Sequence, residues 1–150
     1  MANVMTYKGD DIINLDTKVG VKGMNAPNDV VVVQAMLKYL TQFTKKWTRA
    51  TIPEPNGHLD TNTRQAIFDF QDHVRSTVGN PYEWVTRDGS ISPYNSNIGL
   101  MRKQTWTIIK MNEECAMLSA AKRDGTDHID ALCRRWPQIA SVLGRNPTIL

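Results

Sequence analysis

Residues able to do acid–base, nucleophilic or metal chemistry are few in this 150-residue chain, and their spacing does not assemble them. His58, His73 and His128 are scattered, and no H-E-x-x-H, H-x-x-E-H or C-x-x-C spacing supplies a metal site. No metal and no cofactor is expected. Cys133 and His128 would share a helix as nucleophile and base, yet an i, i+5 separation turns them to different faces. Cys115 and Cys133 both fall on apolar stripes, where a thiol behaves as a small buried hydrophobe. Two cysteines are too few for a disulfide framework, although one bridge between helices stays open in an oxidising compartment. Among the carboxylates, Glu113 and Glu114 are helix neighbours that cannot both face one cleft, and Glu83 stands alone, so a glycosidase pair is not formed. No catalytic residue is assigned.

Binding chemistry remains. Gln34 and Gln71 each sit on an otherwise apolar helix, where a buried amide must satisfy backbone groups of a neighbouring loop or hold a ligand. Trp47, Tyr82, Trp84 and Tyr94 lie in or beside long loops, a placement that suits aromatic platforms for sugar rings and equally suits covering the core. Trp106 and Trp136 lie on helical stripes and read as core.

The elements that must position these groups are read as helices. Asn28 caps a first helix over 28–42, with Asp29 in its first turn and Val30, Val33, Leu37 and Leu40 on one stripe. Asp60 caps a second over 60–76, with Ala66, Ile67, Phe70 and Val74 facing inward. A third covers 100–123 through Trp106, Ile108, Met111, Cys115 and Leu118, and a fourth begins near Thr126 and is interrupted at Pro137. Residues 1–18 read as a loosely held arm that docks through Ile12, Ile13 and Leu15. The fold class expected is therefore all-α, with Val33, Leu37, Ile67, Phe70, Trp106 and Ile108 at the centre.

A net charge of +3 is mild and spread along the chain, so it does not compel nucleic-acid binding. No run of eighteen apolar residues offers a membrane span. MANVMTYKGDDIINLD lacks the charged and apolar regions of a secretory signal, so the expected location is cytoplasmic as synthesised, with lysis or a signal-independent secretion route as the ways out.

Three pieces occur in order: Asp29, Val33, Gln34 and Leu37; then Gly57, Asp60, Thr63, Ala66, Ile67, Phe70 and Gln71; then Asp88, Gly89, Ile91 and Pro93. Together they resemble the peptidoglycan-binding-like domain family of bacterial and phage cell-wall proteins, over about Val19 to Ile108. The resemblance implies a three-helix core over 19–110 after the arm at 1–18, and a helical extension over 111–150 packed on it. It also implies non-catalytic binding of peptidoglycan by a phage or secretion-system protein. The alternatives are a docking component that keeps the fold without the ligand, using its C-terminal helices for a protein partner, and a wall hydrolase. The ligand is expected at the N-termini of the first two helices, held by Asn25, Asn62 and Arg64 with Trp47 or Trp84 stacked on a sugar ring. The chain departs from the family pattern in a longer 43–56 loop, an enlarged 73–87 insert and the residues beyond Ile108.

Overall fold

The computed structural model describes residues 2–42, 47–77, 85–95, 105–122 and 127–145. Five helices pack with two small antiparallel sheets, which corrects the all-α expectation. The strands come first. β1 (Asn3–Tyr7) and β2 (Asp10–Asn14) form a hairpin with Val4 opposite Ile13 and Tyr7 opposite Asp10. Its turn is Lys8-Gly9, and both residues have positive φ, at 49° and 87°. Such a two-residue turn matches the twist of paired strands, and glycine makes the left-handed second position inexpensive. The segment expected to be a loose arm is thus a folded hairpin, with Ile12, Ile13 and Leu15 buried.

A second two-stranded sheet joins distant parts of the chain: β3 (Val19–Gly20) pairs with β4 (Ser90–Ile91), with Val19 opposite Ile91. Glycine is required at two positions of this contact, at one by the partner strand and at the other by a ring of the second helix. A Cβ on Gly20 would collide with the Gly89 carbonyl, and one on Gly89 would enter the ring of Phe68.

Helix α1 (Pro27–Leu40) is the central rod. Val30, Val32, Val33, Ala35, Met36 and Leu37 are all fully buried. A helix that is apolar all round is one enclosed by the protein, which explains why four consecutive valines form a helix here despite their strand preference. Its start differs from the expected Asn28 cap. Ala26 precedes Pro27 at the first helical position, and no side chain caps the end. Asp29 is instead consumed by the preceding loop, its carboxylate accepting from the Asp16 N–H, the Thr17 N–H and the Thr17 hydroxyl at 3.2, 2.9 and 2.7 Å.

Helix α2 (Thr61–Thr77) starts as expected, with Asp60 Oδ1 accepting from the Thr63 N–H at 2.7 Å. Burial pushes the Asp60 carboxyl up, but the bonds from Thr63 outweigh it and the net shift is below its ordinary value. Helix α3 (Thr107–Lys122) follows, then α4 (His128–Arg135), capped by Asp127, which accepts from the Asp130 N–H at 2.7 Å. Trp136 is extended between two helices, and Pro137 interrupts the pattern as expected by starting a new helix, α5 (Pro137–Val142).

One apolar cluster runs from the hairpin through α1, α2 and α3 to Ile129, Leu132, Trp136 and Ile139. The boundary drawn at 110/111 therefore falls inside α3, and the C-terminal helices belong to the common core. No helix among the described residues is long and apolar enough to cross a membrane.

Candidate functional site

The two glutamines do the same structural job twice. Gln34 Nε2 donates to Asn56 Oδ1, the His58 carbonyl and Thr63 Oγ1 at 3.0, 2.8 and 3.2 Å, while its Oε1 accepts from the N–H groups of Asn56 and Gly57. Gln71 Nε2 donates to Asp88 Oδ1, the Ser90 carbonyl and Thr107 Oγ1 at 3.1, 3.0 and 3.2 Å, while its Oε1 accepts from the Gly89 N–H. Each amide ties a glycine turn to a threonine hydroxyl in the first turn of the next helix. With donors and acceptors so occupied, neither glutamine is available to a ligand.

The residues expected to gather around a ligand do not meet. Asn25 is consumed in its own loop, accepting from the Gly20 N–H at 2.7 Å and donating to the Gly20 and Gly23 carbonyls. Trp47 lies at the opposite end of α1, where its indole N–H donates to the Leu40 carbonyl at 3.4 Å. Fourteen helical residues separate the two ends, about 20 Å. Asn62 and Arg64 are exposed on the first turn of α2. Trp47 packs on Phe70 further along the same helix, edge to face with ring centroids 5.9 Å apart. Trp84 and Tyr82 lie outside the described residues, as does Glu83. Tyr94 stacks edge-on with both Tyr7 and Trp106, and so covers the core.

Trp47 instead belongs to a groove of about 270 Å³ between the end of α1, the middle of α2 and α3. Leu40, Phe70, Met117 and Leu118 form its apolar walls, and His73 and Glu114 supply polar groups. Met117 is 59% exposed there, large for an apolar side chain in this structure. Sequence analysis weighed His73 only as a metal ligand and Glu114 only as half of a glycosidase pair, and joined neither to Trp47. The available signal was the Phe70–His73 spacing, which puts both on one face of α2. As expected, Glu113 and Glu114 face different spaces: Glu113 pairs with Lys110 at 2.8 Å and lines a separate cleft beside the hairpin.

The reactive candidates are sequestered. Cys115 is fully buried against the Met36 carbonyl, and burial pushes its thiol far above the ordinary value. Burial also raises Cys133, and both thiols are free. His128 bonds through Nε2 to Asn112 Oδ1 at 2.8 Å, and burial lowers its pKa from 6.5. Asn112 Oδ1 also accepts from the Ile13 N–H, and its Nδ2 donates to the Ile13 and Ile108 carbonyls. That network fixes the amide orientation, so His128 is the donor and Nε2 carries its proton.

No protein-family model, curated protein or solved structure matches the chain.

Proposed function

We propose that this protein is a non-catalytic binder of bacterial cell-wall peptidoglycan, acting in a phage or secretion-system context, and that the Trp47 groove receives an N-acetyl sugar. The observation that carries the reading is the groove itself: the Trp47 indole, packed over the buried Phe70 ring, lines a concave apolar surface with Met117, and an imidazole and a carboxylate stand beside them. A pyranose offers an apolar face to the indole and hydroxyl or acetamido groups to the polar side chains. At about 270 Å³ the space is close to the lower end of small-molecule sites, roughly 300 Å³, and suits one sugar residue more than a folded oligosaccharide.

Further support comes from the ordered pieces that resemble peptidoglycan-binding-like domains. Gln34 and Gln71, the glutamines of those pieces, are the residues that lock each glycine turn to the next helix. The alternative of a docking component draws on an unpartnered face in the C-terminal helices. Ile129, Leu132, Trp136 and Ile139 are buried in this chain's own core, which weakens that motive. Co-sedimentation with purified sacculi at low salt tests the proposal: the folded protein should pellet with them, and protein left wholly in the supernatant would remove wall binding.

A further inference from the structure

The β1–β2 hairpin has two edges, and the protein covers the β2 edge with α3. The Ile13 N–H donates to Asn112 Oδ1 and the Ile13 carbonyl accepts from Asn112 Nδ2, both at 2.8 Å, so the backbone of Ile13 points away from β1. Val4 lies opposite Ile13. In an antiparallel ladder such a pair exchanges no bonds, and both members turn their N–H and C=O groups outward. Val4 therefore presents its backbone to the far side of β1, and by the two-residue alternation Thr6 does the same. Asn3, Met5 and Tyr7 spend theirs on β2. Among the described residues, no hydrogen bond reaches the backbone N–H or C=O of Val4 or Thr6. Thr6 is exposed and Val4 half-buried.

An open edge pairs readily with another strand unless a proline, a charge, a bulge or a covering element guards it. β1 carries none of these among the described residues. Asn3–Tyr7 is uncharged, matches β2 residue for residue, and is held extended by the packing of Val4, Met5 and Tyr7 on the core. The neighbouring ammonium of Lys8 folds over the Tyr7 ring, 5.4 Å from its centroid. We infer that this edge pairs with the same edge of a second copy of the chain, joining two hairpins into one antiparallel sheet about a two-fold axis at Met5. An uncharged strand meets its own copy without like-charge repulsion. Val4 and Thr6 flank Met5 evenly, so an antiparallel copy sets Val4 of each chain against Thr6 of the other and every outward group gains a partner. A register slipped one way would need Ala2, which is 2% exposed. Slipped the other way it would need Lys8, whose φ of 49° ends the strand. Such an isologous contact uses up the edge and closes at two copies. The inference is independent of the wall reading, since no residue of β1 lines the Trp47 groove apart from none shared with it.

The test follows the full chain by sedimentation equilibrium from micromolar to millimolar concentration, with amide hydrogen exchange read by nuclear magnetic resonance on the same samples. The molar mass should rise to that of a dimer and no further, while exchange at Val4 and Thr6 slows in step. Thr6→Pro deletes an outward N–H, leaves the β1–β2 ladder intact and asks of Met5 only the extended backbone it already has. That variant should keep the parent's circular dichroism and associate at least about tenfold more weakly. At the axis the two Met5 Cα atoms would stand about 4.5 Å apart, within disulfide reach. Oxidised Met5→Cys should cross-link to a dimer, with Cys115 and Cys133 buried and giving no background. Asn3→Cys, displaced from the axis in both copies, should not. A monomer at every concentration overturns the inference, as does a dimer that Thr6→Pro leaves unchanged, or growth beyond two copies. Slow exchange at Val4 and Thr6 in the monomer means that the chain covers its own edge, and slowing only when sacculi are added gives the edge to a wall peptide. Either result overturns the second copy as occupant. Cross-linking of Asn3→Cys equal to that of Met5→Cys overturns the two-fold at Met5.

Discussion

Gln71 Oε1 accepts from the Gly89 N–H at 2.9 Å inside the core, eighteen residues away, and so fixes the turn on which the β3–β4 sheet depends. Replacing Gln71 by leucine keeps the volume and strands both the Gly89 N–H and the Ser90 carbonyl. Each stranded buried group costs about 1–3 kcal/mol, so Gln71→Leu should lower unfolding free energy by about 3 kcal/mol. Gln34→Leu should cost less, because the Asn56 and Gly57 groups it serves are only partly buried and can be hydrated. Urea unfolding of both variants checks the order.

Gly89→Ala should be severe for a different reason. The position has φ of 74°, and a methyl group there would enter the Phe68 ring. Backbone strain and overpacking together should cost more than the roughly 1 kcal/mol of a simple glycine replacement at such a φ. The double variant Gly89→Ala, Phe68→Leu should recover part of the loss in a thermal melt, since the ring is the obstacle.

The hairpin yields a sharp contrast between two accounts of the N-terminus. Ile13 is fully buried and its backbone is bonded to Asn112. Ile13→Ala should destabilise by about 2–5 kcal/mol, as a core truncation does. A change of only a few tenths of a kilocalorie would restore the loose-arm reading.

His128 sets a pH dependence whose sign is fixed by its lowered pKa. Above the ordinary value of 6.5 the residue is neutral folded and unfolded, and its contribution to the pH slope vanishes. As pH falls below 6.5 the unfolded chain takes up the proton first, so stability is lost until the folded pKa is passed. His128→Gln should therefore lose less stability than the parent between about pH 7.5 and about pH 5, measured as the difference in urea midpoints. Parallel slopes would show that His128 is not the group responsible.

Much of the helical architecture was legible because it is local. Asp60 signalled its helix by capping, and Pro137 signalled a break. The hairpin was missed although Lys8-Gly9 between two short runs was its signal; the mixed burial of Asn3–Tyr7 gave no clean alternation. The β3–β4 pair could not be seen, since Val19 and Ile91 are joined only by the tertiary fold. The candidate site fared worse for the same reason. Trp47 was named from its loop, but His73 and Glu114 reach it from separate helices. Asn25 looked available and is spent on Gly20 and Gly23.

Sacculus co-sedimentation of the parent protein beside Trp47→Ala, Asn62→Ala and Arg64→Ala, each first shown to be folded by circular dichroism, tests the central claim most directly. Wall binding through the Trp47 groove predicts that the parent, Asn62→Ala and Arg64→Ala pellet alike, while Trp47→Ala stays in the supernatant. Retention of Trp47→Ala equal to the parent would place the sugar elsewhere, and failure of the parent itself to pellet would contradict peptidoglycan binding altogether.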